Sequence, residues 1–190
     1  MSIGDAEIKT QERVIRFFKD PEILGYQYIG NLSDYQNKNI KEDRLRQYLR
    51  LKGYADKLID AAVMQLQQEA GNLSRGVYDA NKTVYSRLKY GIPVSESPEK
   101  PPVTVELIDE ANPLNNDFAI AEEVTVVEQQ EKRPDLVIYL NGIAVAVIEL
   151  KRSSISVSEG IRQNLTNQKD SFIRDFFTTM QFCMAGNESE

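Results

Sequence analysis

Arg133-Pro-Asp-Leu-Val-Ile-Tyr-Leu-Asn-Gly142, running straight into Ile143-Ala-Val-Ala-Val-Ile-Glu-Leu-Lys151, is the stretch on which the fold turns. Two apolar runs rich in β-branched residues flank Asn141-Gly142. That pair accepts the left-handed conformations of a tight turn, so the spacing predicts a β-hairpin. The second run has no polar side chain before Glu149. A strand apolar on both faces is buried on both faces. A carboxylate and an ammonium at its end cost roughly several kcal/mol each unless they are paired or bound to a metal ion.

Working outward, β-branched runs predict further strands over 103–109, 118–127 and 178–184, besides the hairpin strands 133–140 and 143–151. Helical periodicity marks 156–175, through Ile161, Leu165, Phe172 and Phe176. The amino-terminal ninety residues are mostly helical. An amphipathic helix covers 6–20 and stops at Pro21. A brief extended segment covers 24–30, and polar residues 31–39 form a loop. Helix resumes near Ile40 and ends at Gly53. Another covers 56–70 with the stripe Leu58, Ile59, Ala62, Val63, Leu66, and a weaker one covers 74–90. The segment 92–102 gathers four prolines and reads as a loop between subdomains. The fold expected is mixed α/β (α+β): a small, mainly antiparallel sheet flanked by helices. Residues 1–91 form its helical part and 92–190 its core, together one structural domain.

What the chain lacks excludes much chemistry. Its 190 residues contain no histidine, which removes serine–histidine triads, histidine general bases and histidine-ligated metals. Cys183 is the single cysteine, so neither an internal disulfide nor a thiolate cluster can form, and it reads as a small buried thiol. The apolar run 143–148 is far short of the ~20 residues a membrane helix needs. MSIGDAEIKT has no signal-peptide pattern, and a cytoplasmic location is expected. A net charge of −6 argues against a free-standing nucleic-acid binder.

Period two puts Glu149 and Lys151 on one strand face, with Leu150 turned away and its carbonyl in the sheet. Whether Asp135 joins them depends on register. A strict two-residue turn sets Asp135 opposite Ile148, on the wrong face. A three-residue loop ending in a left-handed Gly142 makes Asp135 and Glu149 diagonal neighbours on the same face. Bringing the acids together therefore requires an odd loop or a bulge. Two carboxylates and the Leu150 carbonyl form a hard oxygen site suited to Mg²⁺. Lys151 beside it can hold a hydroxide or offset charge as a phosphodiester is attacked.

Pro134-Asp135 with Glu149-Leu150-Lys151 resembles the PD-(D/E)XK nuclease core. The flanks are more specific: Asn116-Asp-Phe-Ala-Ile-Ala-Glu-Glu-Val-Thr-Val126, the hairpin itself, Ile148-Glu-Leu-Lys-Arg-Ser153 and Gly160-Ile-Arg-Gln-Asn-Leu-Thr-Asn-Gln168. Together they resemble the amino-terminal endonuclease domain of the restriction (motor) subunit of type I restriction-modification enzymes. The resemblance implies Mg²⁺-dependent cutting of double-stranded DNA, with Mn²⁺ as a substitute ion, beside methylase and specificity subunits. It makes Asp135 and Glu149 metal-binding acids and Lys151 the catalytic lysine. It puts Gln163 where related nucleases carry the glutamine of QxxxY, although Asn167 replaces the tyrosine. Its first-helix acid is best matched by Glu12, with Glu7 or Glu42 as alternatives. ATP would be used only by motor regions outside this chain, which has no G-x-x-x-x-G-K-[ST] phosphate loop. The ending 184–190 reads as the edge of a fragment.

Several features have plainer readings. The cations Lys41, Arg44, Arg46, Arg50 and Lys52 could track phosphates or form a solvated face. Arg152 could touch a phosphate or neutralise nearby acids. The stretch 103–131, with eight acids and no base, is expected to face away from DNA. Tyr26, Tyr28, Tyr48, Tyr78 and Tyr85 read as packing residues. A non-enzymatic alternative is a docking module of the same fold that contacts the methylase-specificity core or regulates the motor.

Overall fold

The computed structural model describes residues 3–187, with side chains from residue 8 onward. Helix α1 (Ile3–Lys19) is followed by β1 (Gln27–Asn31) and by α2 (Glu42–Leu51), α3 (Asp56–Ala70) and α4 (Val77–Tyr90). Then come β2 (Ile92–Val94), β3 (Val103–Val105), β4 (Phe118–Glu122), β5 (Val126–Val127), β6 (Glu131–Lys132), β7 (Leu136–Leu140) and β8 (Ile143–Leu150). Helix α5 (Val157–Asn167), a 3-10 helix (Arg174–Thr179) and β9 (Phe182–Gly186) complete the chain. The main sheet runs β1-β4-β7-β8-β9. It is antiparallel at its centre and parallel at both edges, where β1 joins β4 and β9 joins β8.

Both sheet faces are covered, which is why β7 and β8 are apolar up to Glu149. On one face Ala119, Ala121, Val137, Tyr139 and Val147 pack against Ile173, Phe176 and Phe177 of the carboxyl-terminal segment. On the other, Ile120, Leu136, Ile138, Ala146 and Ile148 meet Ile15 and Phe18 of α1. A third cluster lies among α2, α3 and α4. It takes in Ile92, Val94 and Val105 from β2 and β3, together with Ile143 at the hairpin turn. Residues 92–94 are thus a strand rather than the start of a loop, because Ile92 and Val94 point inward while Pro93 points out.

Several expected elements come out shorter or displaced, among them the strand over 103–109, which is Val103–Val105, and the last strand, which is Phe182–Gly186 rather than 178–184. The strand over 118–127 breaks at Glu123, whose φ of 50° lies in the left-handed region, and only Val126–Val127 resumes. The helix over 156–175 stops at Asn167. Ile161 and Leu165, counted as its inner stripe, are exposed, and Gly160, Asn164 and Asn167 face inward instead. A close approach explains this: a Cβ at Gly160 would sit 2.8 Å from the Ala185 Cβ. Asn164 uses its amide to reach Met184 O at 2.9 Å.

The hairpin turn has two residues, with φ of 52° at Asn141 and 82° at Gly142. Gly142 is required twice over, since a Cβ there would also lie 2.6 Å from Lys41 O and 2.8 Å from Leu45 N. The Asn141 side chain is buried and fully used. It donates to Leu107 O and Asn116 Oδ1, each at 2.8 Å, and accepts from Asp117 N at 2.7 Å. Beyond the turn Leu140 pairs with Ile143 and Tyr139 with Ala144, but Ile138 pairs with Ala146. Val145 is therefore a β-bulge.

Candidate active site

The bulge decides the site. Past Val145, Leu136 opposes Ile148, so one step further Asp135 faces Glu149. The acids sit directly across from each other on one face, rather than diagonally as a three-residue loop would place them. The device is a two-residue turn with a bulge inside β8. Asp135 is fixed by its backbone. Glu123 N donates to Asp135 O at 2.8 Å and Val124 N donates to Pro134 O at 3.0 Å, extending the β4 contact past the strand's end. The side chain accepts at Oδ2 from Leu150 N at 2.6 Å.

Glu149 is fully buried. Its Oε2 accepts from Gln163 Nε2 at 2.6 Å and lies 3.8 Å from Lys151 Nζ, while Oε1 is buried with no hydrogen-bond donor. Burial, then the adjacent Asp135 charge, push the Glu149 carboxyl up to about 8 despite the opposing pull of Lys151. The two acids are close enough to share a proton, and Glu123 adds to the same upward push. The Leu150 carbonyl completes the oxygen set. The Leu150–Lys151 peptide is trans and planar, and its N–H donates to Gly186 O on β9 at 2.9 Å. Its carbonyl therefore points to the opposite edge, toward Asp135. Two carboxylates and this carbonyl are the groups that could hold a divalent cation. Among the described residues no three acidic side chains form a metal cage by themselves.

Gln163 reaches the site from α5, and Asn167 stands one turn further on beside the same cleft. Glu12 is exposed at the rim of a cleft of about 640 Å³ that also holds Asp135, Glu122, Glu123 and Arg133. From α1, Gln11 reaches these acids, donating to Glu122 Oε2 at 2.9 Å and Glu123 Oε1 at 3.2 Å. Glu42 is engaged elsewhere, by Arg46 and Gln67. The Glu7 side chain lies outside the described residues. Arg152 sits partly exposed in the turn after β8, its carbonyl bonded to Ile155 N.

Other expectations are corrected. Within the acidic stretch, Glu122 and Glu123 line the cleft with Asp135. Most of the α2 cations are spoken for: Arg44 pairs with Asp117, Arg46 with Glu42 and Asp60, Arg50 with Asp56 and Lys52 with Asp109, while Lys41 lies over the Tyr139 ring. Cys183 is exposed because β9 is an edge strand. Tyr48 is buried, but Tyr78 and Tyr85 are exposed on α4. Sequence reasoning missed Gln11 and Glu123. Gln11 shares a helical stripe with Ile15 and Phe18, and Glu122-Glu123 ends an apolar strand beside the hairpin; both signals were present.

A mixed sheet with two facing acids and a lysine at the open end of its central hairpin defines a nuclease-like α/β core. Comparison with known proteins specifies it further. Residues 7–190 match the family described as type I restriction enzyme R protein N terminus, and the chain belongs to that family. A Methanocaldococcus jannaschii protein named as the endonuclease subunit of the type I restriction enzyme MjaIXP is 33% identical over 97 residues. That match covers 47% of this chain and 9% of the relative's length. Among the described residues no helix is long and apolar enough to cross a membrane.

Proposed function

We propose that the chain is a Mg²⁺-dependent DNA endonuclease domain that cuts duplex phosphodiesters within an ATP-driven type I restriction complex. The observation that carries this is the Val145 bulge, which turns Asp135 onto the face of Glu149 and Lys151. An acid pair whose buried member, Glu149, holds a proton near neutrality and has Oε1 without a donor is a site short of positive charge. Asp135, Glu149 and the Leu150 carbonyl would hold Mg²⁺, with Mn²⁺ as a substitute. When bound, the ion supplies Lewis-acid stabilisation and lowers the pKa of water.

The chain's own groups do the rest. Gln163 fixes Glu149 Oε2, so the carboxylate stays in one orientation. Lys151, mostly covered, offsets negative charge as the phosphorus centre is attacked. The methylase and specificity subunits would select the DNA, and the ATP-driven motor would belong to the remainder of the subunit. The test is plasmid cleavage by the full-length subunit in its complex. Lys151→Ala is expected to abolish double-strand breaks while ATP turnover continues; retained breaks would remove Lys151 from the mechanism. Saturable Mg²⁺ or Mn²⁺ binding that Glu149→Ala eliminates is the companion result. Unchanged metal binding with lost subunit association would instead support a docking module.

A further inference from the structure

Two clefts border the acids, and their charges are opposed. The one beside Asp135 carries Glu12, Glu122 and Glu123 against Arg133, and Arg133 is bound to Glu123 at 2.7 Å. The other, about 380 Å³, lies between β6 and α5 and carries Lys132, Lys151 and Arg162, of which Arg162 pairs with Glu159 and Lys132 has no acidic partner among the described residues. Strand alternation makes this split: consecutive Lys132 and Arg133 line different clefts. In a chain of net charge −6, the basic cleft is where a polyanion meets the site with least repulsion.

Lys132 is held in place before any ligand arrives. Its ammonium stands 5.0 Å from the Phe172 ring centroid, and among the described residues no carboxylate lies within ion-pair distance of it. The β5–β6 hairpin that carries it is clamped by Glu128, which accepts from Asp175 N at 2.9 Å and Phe176 N at 2.8 Å. Gln129 N adds a bond to Phe172 O at 3.2 Å. Across the cleft, Arg162 and Thr166 lie one helical turn apart on α5, with Gln163 between them reaching Glu149. The ring contact reduces the freedom that Lys132 would lose on binding.

The geometry points to the β6–α5 cleft as the site that holds the DNA phosphate next to the one being cut, with Lys132, Arg162 and Thr166 as its contacts. This rests on the nuclease reading above. The acidic cleft is then the side from which cations reach Asp135, and backbone phosphates stay out of it.

The experiment is fluorescence anisotropy of a short labelled duplex on the 190-residue chain, with Ca²⁺ present, across a salt series. Lys132→Gln and Arg162→Gln are each expected to weaken binding about five- to tenfold and to lower the salt slope by about one. Lys132→Arg should restore both, whereas Arg16→Gln on α1 should change neither. Thermal melts establish that each variant is folded. The cleft assignment is overturned if the wild-type chain fails to bind the duplex at low salt, or if folded Lys132→Gln and Arg162→Gln keep the wild-type affinity and slope. Cleavage by the complex with Lys151→Ala reports separately on the nuclease reading, so either can fail alone.

Discussion

Asp109 and Glu149 are both carboxylates closed off from water, 5% and 0% exposed, and the chain surrounds them in opposite ways. Asp109 receives Asn112 N at 2.8 Å, Asn115 Nδ2 at 3.0 Å and Lys52 Nζ at 2.9 Å. Those donors, Asn115 first, bring its carboxyl down to about 2. Glu149 has one amide, a distant ammonium, a second acid at its side and an oxygen with no donor. The first arrangement joins the β3–β4 connection to α2 and completes itself. The second holds unresolved charge at the end of the sheet, the usual sign that a group is kept for chemistry rather than for stability.

The sharpest way to break this contrast is through activity. Glu149→Ala or Lys151→Ala should reduce DNA cleavage by the full complex roughly 100-fold or more, since single electrostatic stabilisers are commonly worth that much. Asp109→Asn should leave the cleavage rate unchanged in folded protein. Stability should show the reverse. Asn141→Ala, which unpairs Leu107 O and Asp117 N and leaves a left-handed alanine, should cost about 3 kcal/mol in denaturant unfolding. Glu149→Gln should instead gain about 1 kcal/mol above pH 8 and little at pH 5, because it removes a buried charge that exists only once the proton has left.

The smallest effect is in the pH dependence itself. Glu149 binds its proton more tightly folded than unfolded, where 4.5 applies, so its contribution is fully present below that value and is lost as pH rises through about 8. Asp109 runs the other way: its contribution is present above 3.8 and is lost as pH falls toward 2. Metal-free stability followed by thermal melts should therefore decline from pH 5 to 8 in the wild type, and Glu149→Gln should flatten that decline. A wild-type curve that is flat over this range would mean that burial and Asp135 together do not raise the Glu149 carboxyl.

Much of this was legible from residues. The stripe from Leu58 to Leu66 gave α3 its bounds, and Asn141-Gly142 gave the hairpin. Asp135, Glu149, Lys151 and Gln163 were readable as a set from the motif, and the need for an odd loop or a bulge followed from period two. Its position at Val145 was not legible, because nothing in IAVAVIEL distinguishes one valine from another; the pairing with β7 and the Gln181 N bond to Val145 O single it out. Nor was the polar inner face of α5, where a neighbouring strand's approach outweighed the hydrophobic pattern. Glu123 could have been read from the pair of acids that ends an apolar strand, but the left-handed turn that directs it leaves no compositional trace.

Thirteen residues, 136–148, separate the two acids. With a two-residue turn, an odd number can bring them face to face only if one residue is left out of the pairing. The hairpin therefore counts in twos. Lengthening it by a matched pair of residues should preserve the site, whereas adding or deleting one would flip an acid to the far side while leaving every codon for the active residues intact. An insertion scan across 137–147 should accordingly alternate between working and dead proteins.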